Sequence, residues 1–173
     1  HDIEHSMYGT SLGMQDNLHP VHNAHRMHLE ALNEVRRLGS IRAAVEAGAI
    51  TRGIMYECVK NDVPYVLTAS IRDDGPLPDV IIDNFKGQMA MREQTIDACL
   101  VVMLASVLHS VATGNMTSTY RVDGDEIKPI PVIAVDNDVF PVTKLIDRGT
   151  GQAFPVIGNA ADFLQRLVGE LSK

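Results

Sequence analysis

Residues 98–104 read ACLVVML, a run that is apolar at every position. A strand of this composition is typically buried on both faces, as in a parallel sheet covered by helices. A second run, PVIAV, occupies residues 131–135, and a helical pattern near Leu108–Thr113 separates the two runs. Strand, helix and strand in this order predict an α/β fold with a parallel sheet.

From residue 64 onward the flanking sequence extends this alternation of strands and helices, and predicted helices precede it. The predicted elements on the carboxyl side are a hairpin excursion within 117–131, a helix at 141–147, a strand at Phe154–Ile157 and a closing helix at 160–171. The predicted elements on the amino side are irregular structure over 1–20, helices at 22–38 and 40–47, a helix from a Thr51 cap to Asn61, a strand at Pro64–Ile71 and a helix from an Asp79 cap to Thr95.

Composition restricts the classes of function that the chain can serve. The 173 residues carry a formal net charge of −7, which argues against general binding to nucleic acid or to an anionic membrane. No apolar run reaches the roughly 20 residues that a membrane span needs. The two cysteines, Cys58 and Cys99, are too few for a disulfide framework, so we expect a reducing, cytoplasmic environment.

Polar residues follow three of the predicted strands. Ligands of open parallel sheets bind at the carboxyl ends of strands, where loops and helix N-termini meet. The three clusters of candidate ligand residues are Arg72, Asp73, Asp74 and Gly75; then Ala105, Ser106, Leu108 and His109; then Asp136, Asn137 and Asp138. We therefore predict a ligand site at this edge of the sheet.

Asp136 is the sharpest candidate among these residues. An acidic residue at the end of such a strand commonly accepts the ribose hydroxyl groups of an adenine dinucleotide, because a carboxylate can accept two O–H bonds at once. The alternative is that Asp136 only caps the helix that begins near Val139.

The other candidates also have structural alternatives. Asp73 and Asp74 can supply a general base or a ribose ligand, or they can form a solvated turn with Gly75. His109 can donate to a cofactor from the start of a helix, or it can be a packed structural histidine. Asn115, after Gly114, can be nothing more than a helix C-cap.

Three further features give weaker signals. His22, His25 and His28 are spaced three apart, but no completing ligand is evident, so we expect no metal. Cys58 is expected to be a buried, inert thiol on an apolar helix face. Residues 9–13, GTSLG, could cradle a phosphate through backbone N–H groups, although glycine-spaced loops of this kind are common.

Six long runs of the sequence resemble the LOR/SDH conserved region, named after lysine-ketoglutarate reductase/saccharopine dehydrogenase. The similarity is greatest to the archaeal-type ornithine cyclodeaminases and extends to the carboxyl-terminal part of the cyanobacterial arginine dihydrolase/ornithine cyclodeaminases. The runs are HDIEHSMYGTSLG (1–13), EVRRLGSIRAAVEAG (34–48), GIMYECV (53–59), SIRDDGPLPDVI (70–81), MLASVLHSVATGNM (103–116) and VDNDVFPVTKLIDRG (135–149).

The ending of the chain, 132–171, also resembles the deoxyhypusine-synthase-like NAD/FAD-binding fold, a three-layer Rossmann variant. The family resemblance implies NAD as cofactor and conversion of L-ornithine to L-proline and ammonia. It places Asp74 (or Asp73), Leu108, His109 and Asp136 among the NAD ligands, with Asn137 beside Asp136 and with Ala105, Ser106 and Asn115 as weaker candidates. For the general base it leaves Asp73 and Asp79, and after them Cys58.

The sequence departs from this family at its beginning. Relatives carry a strand with a glycine-rich turn and a Gly-Asn-Ala segment before the HDIE run, and these are absent here. We expect residues 1–173 to form most of one NAD-binding catalytic domain that lacks its N-terminal strand and any preceding domain. The expected partners are the missing segment or chain, a small amino-acid substrate and a second copy of the chain; the alternative function is a non-catalytic NAD- or nucleotide-binding module.

Overall fold

The computed structural model describes residues 1–11, 24–69, 77–104, 107–147 and 153–173. It divides into two compact units, His1–Gln88 and Met89–Lys173, and the prediction that 1–173 forms most of one domain stays a prediction. The elements in chain order are α1 (Asp2–Tyr8), α2 (Ala24–Leu38), α3 (Ile41–Glu46), α4 (Ile54–Lys60), β1 (Leu67–Thr68), β2 (Val80–Ile81), α5 (Asn84–Thr95), β3 (Val101–Leu104), α6 (Val107–Met116), β4 (Tyr120–Asp123), β5 (Glu126–Pro129), β6 (Val132–Asp136), α7 (Val139–Asp147), β7 (Ala153–Ile157) and α8 (Ala160–Leu171).

The first unit is built around four helices. Its core is formed by apolar side chains of α1 to α4 and of the α3–α4 connection, namely Ile3, Ala31, Val35, Ile41, Ala44, Ile50, Met55 and Val59. The predicted α3 is confirmed, because Ser40 caps it by accepting the Ala43 N–H at 3.0 Å through its hydroxyl oxygen.

The prediction of irregular structure over 1–20 is wrong for Asp2–Tyr8, which form α1. Acidic residues in the first turn, Asp2 and Glu4, favour a helix N-terminus through its dipole. The helix ends at Gly9, whose φ of 69° gives the left-handed cap that favours glycine. The helix is short and rich in polar residues, so the spacing of its apolar residues did not predict it.

The predicted Thr51 cap of α4 is also wrong. The N-cap is Gly53, and the carboxylate of Asp2 accepts the N–H groups of Ile54 and Met55 at 3.0 and 2.9 Å. A residue distant in sequence thus replaces the local cap that the sequence predicts. Within α4, Ile54 is 71% exposed, whereas Met55 and Val59 are buried.

The strand predicted at Pro64–Ile71 is shorter in the described residues and has a short parallel partner. Leu67 and Thr68 pair with Val80 and Ile81. The helix predicted from an Asp79 cap begins instead at Asn84, and Asp83 accepts the Lys86 N–H at 2.9 Å in its first turn. The apolar pair Val80–Ile81 therefore forms a strand rather than a helical turn.

The second unit contains a parallel sheet of order β3-β6-β7. Buried Met103, Val132 and Ala134 of this sheet pack with Val142 and Leu145 of α7. Because Ala134 and Val135 point to opposite faces and are both 2% exposed, both faces of β6 are covered. This agrees with the predicted α/β, Rossmann-like architecture.

Burial of the run 98–104 on both faces is contradicted. The strand begins only at Val101, and it is β6 that is buried on both faces. In β3, Met103 is 5% exposed, whereas Val102 and Leu104 on the opposite face are 36% and 41% exposed.

The predicted hairpin is confirmed as the antiparallel pair of β4 and β5, which turns at Gly124 with a φ of 63°. The helix predicted to end at Gly114 continues to Met116. Asn115 therefore lies inside α6, and its expected alternative role as a C-cap is wrong.

Candidate functional site

The carboxyl ends of β3, β6 and β7 lie at one edge of the sheet. The parallel register pairs Leu104 with Val135 and Asp136 with Ile157, so the three strands end within about one residue of one another. A helix follows each strand, beginning at Val107, Val139 and Ala160. Helix N-termini present unpaired N–H groups and a partial positive charge, which favours anions such as phosphate.

Asp136 ends the middle strand at this edge. Its backbone oxygen accepts the Gly158 N–H at 2.9 Å, which ties the end of β6 to the end of β7. Its carboxylate oxygen Oδ1 accepts the Asp138 N–H at 3.1 Å. Within the described ranges, Oδ2 makes no hydrogen bond, so it can accept from a ligand.

The expected alternative for Asp136, that it caps the helix near Val139, is wrong. The cap is Asp138, whose Oδ1 accepts the Phe140 N–H at 3.1 Å. Asn137, between these two residues, is exposed. The two aspartates therefore have different roles. Asp138 caps the start of α7, and Asp136 is the last residue of β6.

Gly158 and Asn159, which are not among the predicted site residues, also lie at this edge, between β7 and α8. Asn159 caps α8, and its Oδ1 accepts the Ala161 N–H at 2.8 Å. Among the described residues other than its two chain neighbours, no heavy atom lies within 4 Å of the position that a Cβ on Gly158 would occupy, so this part of the strand end is open. The available signal was a Gly-Asn pair between a strand and an amphipathic helix.

Leu108 and His109 lie in the first turn of α6 and are exposed at this edge. Asn115 lies six residues further along the same helix, roughly 9 Å along its axis, and is not brought to the edge. Apolar side chains accompany Leu108 at this edge, since Val139 and Phe140 in the first turn of α7 are 56% and 59% exposed.

Asp79 belongs to the first unit, where it has a structural contact. Its Oδ2 accepts the N–H of Ile41, the first residue of α3, at 2.9 Å. Burial raises the pKa of Tyr65 above its ordinary value, and the negative charge of Asp79 adds to this shift. Asp73, Asp74, Ala105 and Ser106 lie outside the described residues.

The remaining candidates also belong to the first unit. Cys58 is half-buried rather than buried, and both cysteines are free thiols. Thr10, from the glycine-spaced run 9–13, is buried and donates from Oγ1 to Glu4 Oε1 at 2.7 Å. That hydroxyl is therefore used inside the unit, while Leu12 and Gly13 lie outside the described residues.

One cluster of side chains in the first unit is not among the sites predicted from the sequence. His1, Glu4 and His28 place two imidazoles beside a buried carboxylate. The signal was the pair His1 and Glu4, which are three residues apart at the beginning of α1. The expectation of no metal rested on His22, His25 and His28, and of these only His28 belongs to this cluster, where His1 and Glu4 offer the other two candidate ligand atoms.

Comparison with known proteins identifies close relatives. A profile of the family described as "Arginine dihydrolase ArgZ-like, C-terminal, Rossmann fold" matches residues 1–167. Ornithine cyclodeaminase of Methanopyrus kandleri is 48% identical over 174 aligned positions, which cover 100% of this chain and 40% of that protein. The chain thus spans about two fifths of the length of this relative.

Two solved structures share the fold. A conserved LOR/SDH protein from Methanococcus maripaludis superposes with a TM-score of 0.87 at 46% identity, over 99% of this chain and 49% of that one. AgrE, a bifunctional arginine dihydrolase/ornithine cyclodeaminase of Nostoc sp., has been solved as a ternary complex with ornithine and NAD+. That complex superposes with a TM-score of 0.83 at 42% identity, over 99% of this chain and 24% of AgrE. In the described parts of the chain, no helix is long and apolar enough to cross a membrane.

Proposed function

The chain belongs to the family of ArgZ-like C-terminal Rossmann-fold domains, and we propose that it is the NAD-binding part of an ornithine cyclodeaminase. The overall reaction converts L-ornithine to L-proline and ammonia. Relatives named for this activity support the proposal, as does the AgrE complex with ornithine and NAD+.

The observation that carries the cofactor assignment is the position of Asp136. It ends the middle strand of a parallel sheet, and its Oδ2 is available to accept hydrogen bonds from the two hydroxyls of an adenosine ribose. Open space at Gly158 and the N-termini of the helices after each strand suit a dinucleotide and its pyrophosphate. The residues present therefore fit NAD.

NAD supplies hydride chemistry, taking a hydride from the amine-bearing carbon of the substrate and returning it later to the cyclic imine. The exposed apolar side chains of Leu108, Val139 and Phe140 offer surface against which a flat base can pack. His109 and Asn137 stay proposed NAD ligands, together with Asp74, Ala105 and Ser106, whereas Asn115, which lies roughly 9 Å along α6 from this edge, is the weakest candidate.

A proton acceptor is also needed when the amine is oxidised and when the second amine attacks. Asp73 and Asp79 are the proposed candidates. One oxygen of Asp79 accepts the Ile41 N–H, so only its other oxygen would accept a proton in this role.

We also propose that another protein segment covers the second unit. Large apolar side chains are exposed on one face of β3, on β7 and along α8, where no residue is buried. The rest of a longer protein is the favoured partner, because the chain covers 40% of its archaeal relative, and a second copy is the alternative.

Free Cys58 and Cys99 support a cytoplasmic location.

The test combines the chain with NAD+ and isotopically labelled L-ornithine, alone and with the amino-terminal part of an archaeal relative supplied in trans. We expect NAD+ to bind, which isothermal titration measures, and labelled proline and ammonia to form. If NAD+ binds and neither mixture forms proline, the non-catalytic binding module is the function. Absence of NAD+ binding would refute both.

A further inference from the structure

The first unit contains a cluster of three side chains of the kinds that bind metals, which come from the N-cap of α1, from α1 itself and from α2. A ring nitrogen of His1, a ring nitrogen of His28 and a carboxylate oxygen of Glu4 all lie within 4.8 Å of one another. The centroids of the two imidazole rings are 5.8 Å apart, and the rings are tilted by 32°. His1 is exposed, and His28 is partly buried.

Local geometry brings these residues together. His1 is the N-cap of α1 and Glu4 lies three residues further on in its first turn, and their ligand atoms lie within 4.8 Å of each other. Helix α2 packs against α1 and carries His28 to the same face. The cluster therefore needs only the two helices that form the beginning of this unit.

Glu4 is the unusual member because its carboxyl group is buried, with 1% exposure. Burial of a carboxylate is unfavourable unless hydrogen bonds or a cation compensate its lost hydration. Thr10 Oγ1 donates to Oε1 at 2.7 Å, and His28 Nδ1 lies 2.9 Å from Oε2. Thr10 thereby fixes the orientation of the carboxylate and directs Oε2 toward His28.

We propose that His1, Glu4 and His28 form a binding site for a divalent transition-metal ion of the Zn²⁺ class. Two imidazoles and one carboxylate are ligands that Zn²⁺ prefers, and three protein ligands leave a fourth position for water. Zn–N and Zn–O bonds of roughly 2.0–2.2 Å place tetrahedral ligand atoms about 3.3 Å apart. To reach this spacing the 2.9 Å contact between Glu4 Oε2 and His28 Nδ1 would lengthen by a few tenths of an ångström, and the most distant pair, which lies within 4.8 Å, would close by up to about 1.5 Å.

In the proposed site, Thr10 orients the Glu4 carboxylate through the oxygen that does not face the metal. Carboxylate ligands are generally held by a hydrogen bond on the oxygen that does not face the metal, and loss of such a partner lowers affinity by roughly 10- to 100-fold. The proposed ion would link α1 to α2 and neutralise the buried charge of Glu4.

The test measures Zn²⁺ affinity by competition with a chromophoric chelator, using the metal-free chain with an acetylated N-terminus. Acetylation is needed because a free α-amino group next to an imidazole is itself a metal-binding pair. We expect one Zn²⁺ per chain, and Co²⁺ in the same site should give the visible absorption of a tetrahedral N/O complex.

The variants separate the proposed site from the other histidines. We expect His28→Ala and His1→Ala to lower Zn²⁺ affinity by roughly 100-fold or more and Thr10→Ala by roughly 10- to 100-fold. His25→Ala is the matched control, since His25 is exposed on the same helix and outside the cluster. His1 is exposed, so its variant reports on the metal even if the His28 variant fails to fold.

Three results would overturn the proposal. The first is the absence of stoichiometric Zn²⁺ binding by the acetylated chain. The second is unchanged affinity in His1→Ala. The third is an equal loss in His25→Ala, which would assign the binding to exposed histidines generally and leave Glu4 and His28 as an ion pair only.

Discussion

The backbone N–H of Asp138 donates to the carboxylate of Asp136 at 3.1 Å, although the two residues have separate roles. Asp138 caps α7 through the Phe140 N–H, whereas Asp136 keeps its Oδ2 available at the strand end. Two acidic residues of one short segment therefore provide a matched pair for testing the cofactor site.

Asp136→Ala is expected to lower NAD+ affinity by roughly tenfold or more, because hydrogen bonds to a charged acceptor are worth roughly 1.5–3 kcal/mol. Isothermal titration measures the affinity. Asp138→Ala is the control: loss of the cap should lower the free energy of unfolding by about 1 kcal/mol and leave NAD+ affinity nearly unchanged. Equal NAD+ affinity in Asp136→Ala and the parent chain would contradict the assignment.

Asp2→Ala should lower the free energy of unfolding by about 1–2 kcal/mol. The substitution removes the acceptors for the N–H groups of Ile54 and Met55 at the start of α4. Urea titration monitored by circular dichroism measures the change. Asp125→Ala, at an exposed position of the hairpin, should change stability by less than about 0.5 kcal/mol. Similar losses in both variants would show that the Asp2 contact contributes little.

Gly53→Ala and Gly169→Ala should change the free energy of unfolding in opposite directions. Gly53 has a φ of 97°, and a Cβ there would lie 2.6 Å from Asp2 Oδ1, so alanine should destabilise the chain by more than about 1 kcal/mol. Gly169 lies in α8, and in the described part of the chain, apart from the adjoining helix backbone, no heavy atom lies within 4 Å of the position of an added Cβ, so alanine should stabilise the chain by up to about 1 kcal/mol. Thermal melts of both variants provide the measurement, and a neutral Gly53→Ala would contradict the predicted clash.

Alkaline pH should destabilise the first unit through Tyr65. Its pKa is raised in the folded state by burial and by Asp79, so the unfolded chain loses this proton at lower pH than the folded chain. The associated stability is complete below about pH 10, the ordinary value, and is lost as pH rises from there through the folded-state pKa.

Tyr65→Phe removes this ionisation and should flatten the fall in stability above about pH 10, as urea titrations at a series of pH values would measure. Tyr120→Phe, at an exposed position of β4, is the matched control and should keep the slope of the parent chain. An unchanged slope in Tyr65→Phe would assign the alkaline loss to other groups.

Sequence patterns predict the elements whose signal is local. The strands near 101–104 and 132–136 follow from continuous apolar runs, and α8 follows from its amphipathic period and the Gly-Asn pair before it. Ser40 is recognisable as a cap because its hydroxyl oxygen accepts the N–H of Ala43, only three residues further along the chain. In each case a window of about ten residues contains the necessary information.

Contacts between distant residues could not be predicted in this way. Asp2 caps a helix 52 residues further along the chain, and local propensity therefore pointed to Thr51. The partner of His1 and Glu4 is His28, which arrives only when α2 packs on α1. Adjacent acidic groups are ambiguous for a different reason: a shift of two residues decides whether Asp136 or Asp138 caps α7.

The contacts of the first two residues have a consequence for trimming the chain. Removing His1 and Asp2 would delete an imidazole beside Glu4 and both acceptors at the start of α4. At the opposite terminus, Leu171, Ser172 and Lys173 are exposed, and their removal leaves both cores intact. An affinity tag or a fusion junction is therefore better placed after Lys173 than in place of the first two residues.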